Sequence, residues 1–282
     1  MNLYARTSHL YAEISGKTYA VSDGDLAVYV RALQGASREF DAATHRHFFA
    51  QVDTRYFSWR DGSFDDRRRL NLWNNDLVSI SALTVDDNDD GTYELTLVEG
   101  TDYYVEPDNR LPNTPIASLY LLRSGTQLYS WPRPSRTVKI AGTWGYSEEL
   151  EDTALTGTVA TTTGTTLTAS ATAEVLIDVG ETIKVEDEQM YVSAISTTSL
   201  TVVRGINGTT AAAHSAKAIY RRRYPEEVEA AVIARAGAQR WASQEGWAGQ
   251  GEPSGEGRAA YAQWMAVVRE FRVIPMSTRR SA

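Results

Sequence analysis

"TALTGTVATTTGTTLTASATAE", residues 153–174, is built almost wholly from Thr, Ala, Gly and Ser. A helix of this composition would have no broad apolar stripe to bury, whereas alternating Thr suits exposed or edge strands. The residues that follow alternate more clearly: "ETIKVEDEQMYVSAI" (181–195), "SLTVVRGI" (199–206) and "AIYRRR" (218–223). Residues 151–223 therefore read as a small all-β domain. Within it, "RGINGTTAAAHSAKAIY" (204–220) contains Asn207-Gly208, a turn signal because both residues tolerate positive φ. The sequence lacks the Lys-Ser/Thr of a phosphate loop and the G-x-G-x-x-G of a dinucleotide turn.

Helices are expected on both sides of this domain. In "SDGDLAVYVRALQGASREFDAATHRHFF" (22–49), Ser22 or Asp23 can cap a helix on which Leu26, Val30, Leu33, Phe40 and Ala43 recur near helical spacing. In "YPEEVEAAVIARAGAQRWASQEGWAG" (224–249), Pro225 suits the first turn, Glu226 and Glu227 favour the positive end of the dipole, and Val228, Ala231, Val232, Arg235 and Ala238 trace one face. A last helix, "RAAYAQWMAVVREF" (258–271), is expected to pack with Tyr261, Met265 and Val268. Between residues 49 and 146 the period changes to two, in "FAQVDTRYFSWRD", "DLVSISALTVDD", "GTYELTLVEGTDYYVEP" and "RTVKIAGTWGY". The expected class is α+β: a helical core, made of the N-terminal helix plus the C-terminal helices, with a β-rich middle and an inserted small all-β domain. The expected division is 1–150 for the helix and β-rich part, 151–223 for the insertion, 224–270 for the completing helices and 271–282 for a tail.

The 282 residues carry a formal charge of -8 and no cysteine. Disulfides and Cys-based metal sites are thereby excluded, and a reducing compartment is the natural setting. Excess negative charge argues against clamping phosphates over a large surface. No secretion signal and no run of about 18 apolar residues is present, so a cytosolic, non-membrane protein is expected.

Local chemistry is sparse. Asp86, Asn88 and Asp90 of "DDNDDG" match the front half of a calcium loop, but its twelfth position is Leu97 where a bidentate Glu is needed. An acidic hairpin tip is the expectation, with no metal and no cofactor. His45 and His47, two apart on an expected helix, face different sides and cannot share zinc. His214 has no companion ligand nearby in sequence and reads as a surface or packed histidine. Asn207-Gly208-Thr209 is a formal glycosylation acceptor, without a signal to bring it to the enzyme. The aromatic stretches "RYFSW", "TDYYVEP", "LYSWPRP" and "TWGY" read as core, and the basic runs "RDGSFDDRRRL" and "YRRRY" as solvated strand ends. No spacing marks a catalytic acid and base, so an enzyme is not expected.

The order of these signals resembles the head-tail connector (adaptor) proteins of tailed bacteriophages. "FDAATHRHF", "TRYF", "LVSISALTVDDNDDGTYELTLVEGTDYYVEPDN", "VKIAGTWGYS" and "YPEEVEAAVIARAGAQRWA" occur in the family's order across most of residues 20–246. The departure is the Thr-rich β domain, which separates Tyr146 from Pro225 and itself looks like a small module of phage structural proteins. The resemblance implies a virion neck protein assembled in the host cytoplasm, without catalysis. It would form a homo-oligomeric ring, usually of twelve copies, below the portal protein, receive a stopper or tail-completion protein, and let DNA pass without sequence-specific binding. On that reading Phe271, Val273, Ile274 and Met276 of the tail are expected to order on the portal, with Arg279 and Arg280 meeting its acids. The alternatives are a carbohydrate-binding or adhesion module of a tail tip and a glycan depolymerase.

Overall fold

A computed structural model describes residues 2–16, 23–58, 67–72, 75–111, 114–125, 127–248 and 255–272, with the side chains of 23–24, 240–248 and 255–257 excepted. The chain divides into two compact units, one made of residues 46–148 and the other of residues 1–45 together with 149–282.

The unit of residues 46–148 contains seven strands: β1 (Gln51–Phe57), β2 (Arg69–Asn71), β3 (Leu77–Val85), β4 (Leu95–Leu97), β5 (Tyr103–Glu106), β6 (Ser118–Leu121) and β7 (Val138–Trp144). They form a four-stranded antiparallel sheet, β1-β7-β3-β4, and a three-stranded one, β2-β6-β5. Both sheets contribute to one buried cluster: Leu83, Val85, Ile140 and Trp144 from the first, Leu70, Tyr103, Leu119 and Leu121 from the second. The Val138–Trp144 strand is buried at every second residue, as a half-covered sheet requires. Each deep indole finds an acceptor: Trp131 Nε1 donates to Arg68 O at 2.8 Å and Trp144 Nε1 to Asp53 O at 3.0 Å. At Gly142 a Cβ would come within 2.1 Å of Ser79 O, so β3 and β7 approach as closely as they do only because that side chain is absent.

The other unit holds β8 (Leu150–Val159), β9 (Thr166–Ala169), β10 (Thr182–Val185), β11 (Glu188–Ser196), β12 (Ser199–Val203) and β13 (His214–Arg222). These close into a barrel in the order β10-β11-β12-β9-β8-β13, every pair antiparallel. Closure removes both sheet edges, which is how a Thr-rich strand set avoids presenting unpaired backbone. Leu155, Leu167, Ile183, Val185, Met190, Val192, Leu200 and Ile219 fill the interior.

Four helices are described in this unit: α1 (Thr7–Ser15), α2 (Asp23–Thr44), α3 (Glu226–Ala248) and α4 (Gly255–Phe271). Arg235 makes a two-pronged ion pair from α3 to Glu39 of α2, at 2.9 and 2.7 Å. Phe271 at the end of α4 lies against Phe40, with ring centroids 6.5 Å apart.

The expected α+β class with a helical core is corrected by this arrangement. The chain is β-rich, with thirteen described strands in a closed barrel and two further sheets, and its strands bury clusters of their own in both units. One physical reason lies in α3, whose buried positions include Ala231, Ala236 and Ala238, residues too small to found a core. Two expectations at element scale also change. The buried face of α4 is Trp264, Val268 and Phe271, while Tyr261 is 47% exposed. His45 and His47 do not share a helix, because α2 ends at Thr44 and His45 takes φ 58°.

Candidate functional site: the seam between barrel and helices

Residues 2–9 form a strap that joins the barrel to α2 and α3. The first link is an exchange of amides, Asn2 Nδ2 donating to Asn207 Oδ1 at 2.9 Å and Asn207 Nδ2 to Asn2 Oδ1 at 3.0 Å. Thr182 Oγ1 adds a bond to Asn2 Oδ1, and Asn207 Nδ2 also donates to Gln189 Oε1. The turn recognised at Asn207-Gly208 is present, with φ of 54° and 78°, and it also carries this contact.

The second link is ionic. Arg6 Nη2 donates to Asp178 Oδ1 at 2.9 Å, and its Nε lies 3.2 Å from Glu181 Oε1. The other oxygen of Asp178 accepts from Ser8 N at 2.8 Å, so a barrel-loop carboxylate serves the start of α1, where Arg6 offers no side-chain cap. The strap reaches the helices through Tyr4 N to Ser37 Oγ, Tyr4 Oη to Asp41 Oδ1, Arg38 Nη2 to Asn2 O, and His9 Nδ1 with Glu229 Oε1 at 2.6 Å. Leu3 passes so close to Gly180 (φ 100°) that a Cβ there would meet Leu3 Cδ1 at 2.3 Å.

A cavity of about 310 Å³ lies along this seam, lined by Arg6, Glu151, Glu181, Arg222, Tyr224 and neighbouring residues. Burial pushes the Glu181 carboxyl up to about 7, against the pull of Arg6. Burial likewise raises Asp41 to about 6, opposed by Arg38 and the Tyr4 hydroxyl. The run "YRRRY" is solvated only in part: Arg223 is 46% exposed, but Arg222 is buried, and Arg221 Nη2 donates to both Glu151 oxygens at 2.8 and 2.9 Å. Ion pairs of this kind fasten surfaces together and fix their register.

Inside the barrel a second polar knot holds the 204–214 loop. Glu188 accepts from Arg204 Nε and Nη2 at 2.6 and 2.7 Å and from the amides of Gly205 and Ala212, each at 3.0 Å. His214 is packed between Glu186 and Glu188 at 2.8 and 2.9 Å. Its companions stand 28 and 26 residues before it, beyond the reach of any local pattern.

The acidic stretch is the tip joining β3 to β4. Asp86 and Asp90 come together there with Glu94, their ligand atoms within 4.8 Å of one another. Asn88 Oδ1 accepts from Asp90 N, and both Asp86 oxygens accept backbone amides, of Asp89 and Gly91. Of the expected portal-binding residues, Phe271 is buried against α2, while Val273, Ile274, Met276, Arg279 and Arg280 lie outside the described residues. Among the described residues no helix is long and apolar enough to cross a membrane. The strap was missed in the sequence because residues 2–9 have no repeating pattern; Gly16, at φ 64° with its amide on Ala12 O, was the one local mark of α1.

Compared with known proteins, the chain matches no family model, no curated protein and no solved structure.

Proposed function

We propose that this protein is a structural part of a bacteriophage neck, copies of which form a ring that joins the portal to the stopper or tail and continues the DNA channel. The observation that carries the reading is the seam. A closed barrel fixed to a helical layer by paired amides and buried ion pairs suits a part that must present a contact module at a set angle and resist load. The order of motifs, which resembles that of head-tail connectors, points the same way, and a formal charge of -8 suits a wall past which DNA moves without sticking. The tail after Phe271 supplies the portal contact, through Val273, Ile274 and Met276 with Arg279 and Arg280 beside them. Native mass measurement of the protein with purified portal rings tests this: a complex with many copies per portal is expected, and a protein that binds no neck component overturns it.

A further inference from the structure

Two surface features of the barrel-containing unit are matched in polarity and charge. Between β9 and β10 the chain turns tightly, with Leu176 N and Ile177 N both donating to Ala173 O at 2.9 and 2.8 Å. The turn is braced from outside: Ala173 N donates to Thr197 O, Thr197 N to Glu174 Oε1, and the Arg6 and Arg221 guanidinium groups hold Leu176 O. This turn displays Val175, 78% exposed, and Leu176, 39% exposed, directly after Glu174. Single exposed apolar residues are ordinary, but here adjacent ones are presented on a turn held by side chains from elsewhere in the unit.

The second feature is a groove of about 500 Å³ between α2 and β11, lined by Leu26, Val30, Val179 and Ile195 among others, with Arg31 its only charged residue. Arg31 is exposed and makes no ion pair among the described residues. The tip of the same chain does not fill this groove, since Val175 stands in solvent. Glu174 is likewise the only charge in the turn. Each surface thus offers an apolar contact beside an exposed charge of opposite sign, Glu174 at the turn and Arg31 at the groove, while Arg6 and Arg221 under the turn are partly buried.

We infer that the turn Glu174–Leu176 of one copy seats in the groove between α2 and β11 of a second copy, Val175 and Leu176 against Leu26, Val30 and Ile195, with Glu174 meeting Arg31. The two surfaces differ, so contacts repeated head to tail propagate around a ring, the form that rests on the neck reading above, whereas a reciprocal exchange stops at a pair.

The chain has no cysteine, so introduced thiols report the contact cleanly. Glu174→Cys and Arg31→Cys copies, mixed and oxidised with and without portal, are expected to give a disulfide between copies that neither gives alone. The E174C/R31C double variant is expected to ladder toward a closed ring. Val175→Asp is expected to weaken self-association at least tenfold, as are E174R and R31E singly, while E174R and R31E combined restore it. If the wild type rings the portal and the V175D and R31E variants do so equally, the groove has another occupant: this contact is overturned and the neck reading stands. If copies associate through the turn but ignore the portal, the neck reading falls and the contact stands. A wild type monomeric in both settings overturns both.

Discussion

Glu188 and Glu181 sit in the same barrel-containing unit and respond to it in opposite ways. Burial works against the charge of Glu188, but donation by Arg204, the Ala212 amide, His214 and the Gly205 amide outweighs it and holds the carboxyl at about 2. A depressed carboxyl contributes stability that is present above the ordinary carboxylate range and lost as pH falls through about 2. Removing its partner is therefore costly: Arg204→Ala leaves a carboxylate with 1% of its side chain exposed and should destabilise the barrel by about 3–5 kcal/mol, read by urea unfolding. Glu181 has the reverse sign. Its folded value, about 7, lies above the ordinary 4.5, so its contribution is complete below pH 4.5 and is lost as pH rises through about 7. Asp41, at about 6, acts in the same direction. The stability of this unit should decline from pH 5 to pH 8, and Glu181→Gln should flatten that decline; an unchanged profile in the variant would show that Glu181 does not govern it.

Among the elements, α4 shows what periodicity can and cannot give. The sequence supplied its existence, but the expected face of Tyr261, Met265 and Val268 is rotated from the observed Trp264, Val268 and Phe271. A stretch with apolar residues on several sides leaves its face to be chosen by the neighbour, here Phe40 of α2. Phe271→Ala should accordingly cost about 3 kcal/mol, read as a loss of unfolding free energy in urea. A truncation that removes Phe271 therefore confounds folding with docking, and tail experiments should begin after it. In the other unit, Gly142→Ala drives a methyl into Ser79 O and should cost about 3 kcal/mol or more, lowering amide protection along β3 and β7 while leaving the barrel amides unchanged. The short strands β2 and β6 were not anticipated, since three or four residues are too few to show a period.

At the scale of the whole molecule, the strands of the barrel, both long helices and the acidic tip could be read from local pattern, because each depends on spacing within its own stretch. The seam could not, since Asn2 with Asn207 and Arg6 with Asp178 join residues 205 and 172 positions apart. The misreading lay in the expected helical core, because Ala-rich helical faces look apolar on paper and bury little area. Residues 46–148 form one unbroken stretch with a buried cluster containing Trp131 and Trp144. Expressed alone, this stretch should fold and give a near-ultraviolet circular dichroism signal from those indoles that is lost in one cooperative step. The barrel meets the rest of its unit differently. Arg223 N donates to Glu149 O at 3.1 Å and Arg221 pairs across from Glu151, so the chain leaves the barrel beside the point where it entered. A gene could thus acquire or shed this whole cassette in a single recombination event, the flanking ends rejoining through a tight turn, but only if Asn2 and Arg6, which would lose Asn207, Asp178 and Glu181, were replaced with it.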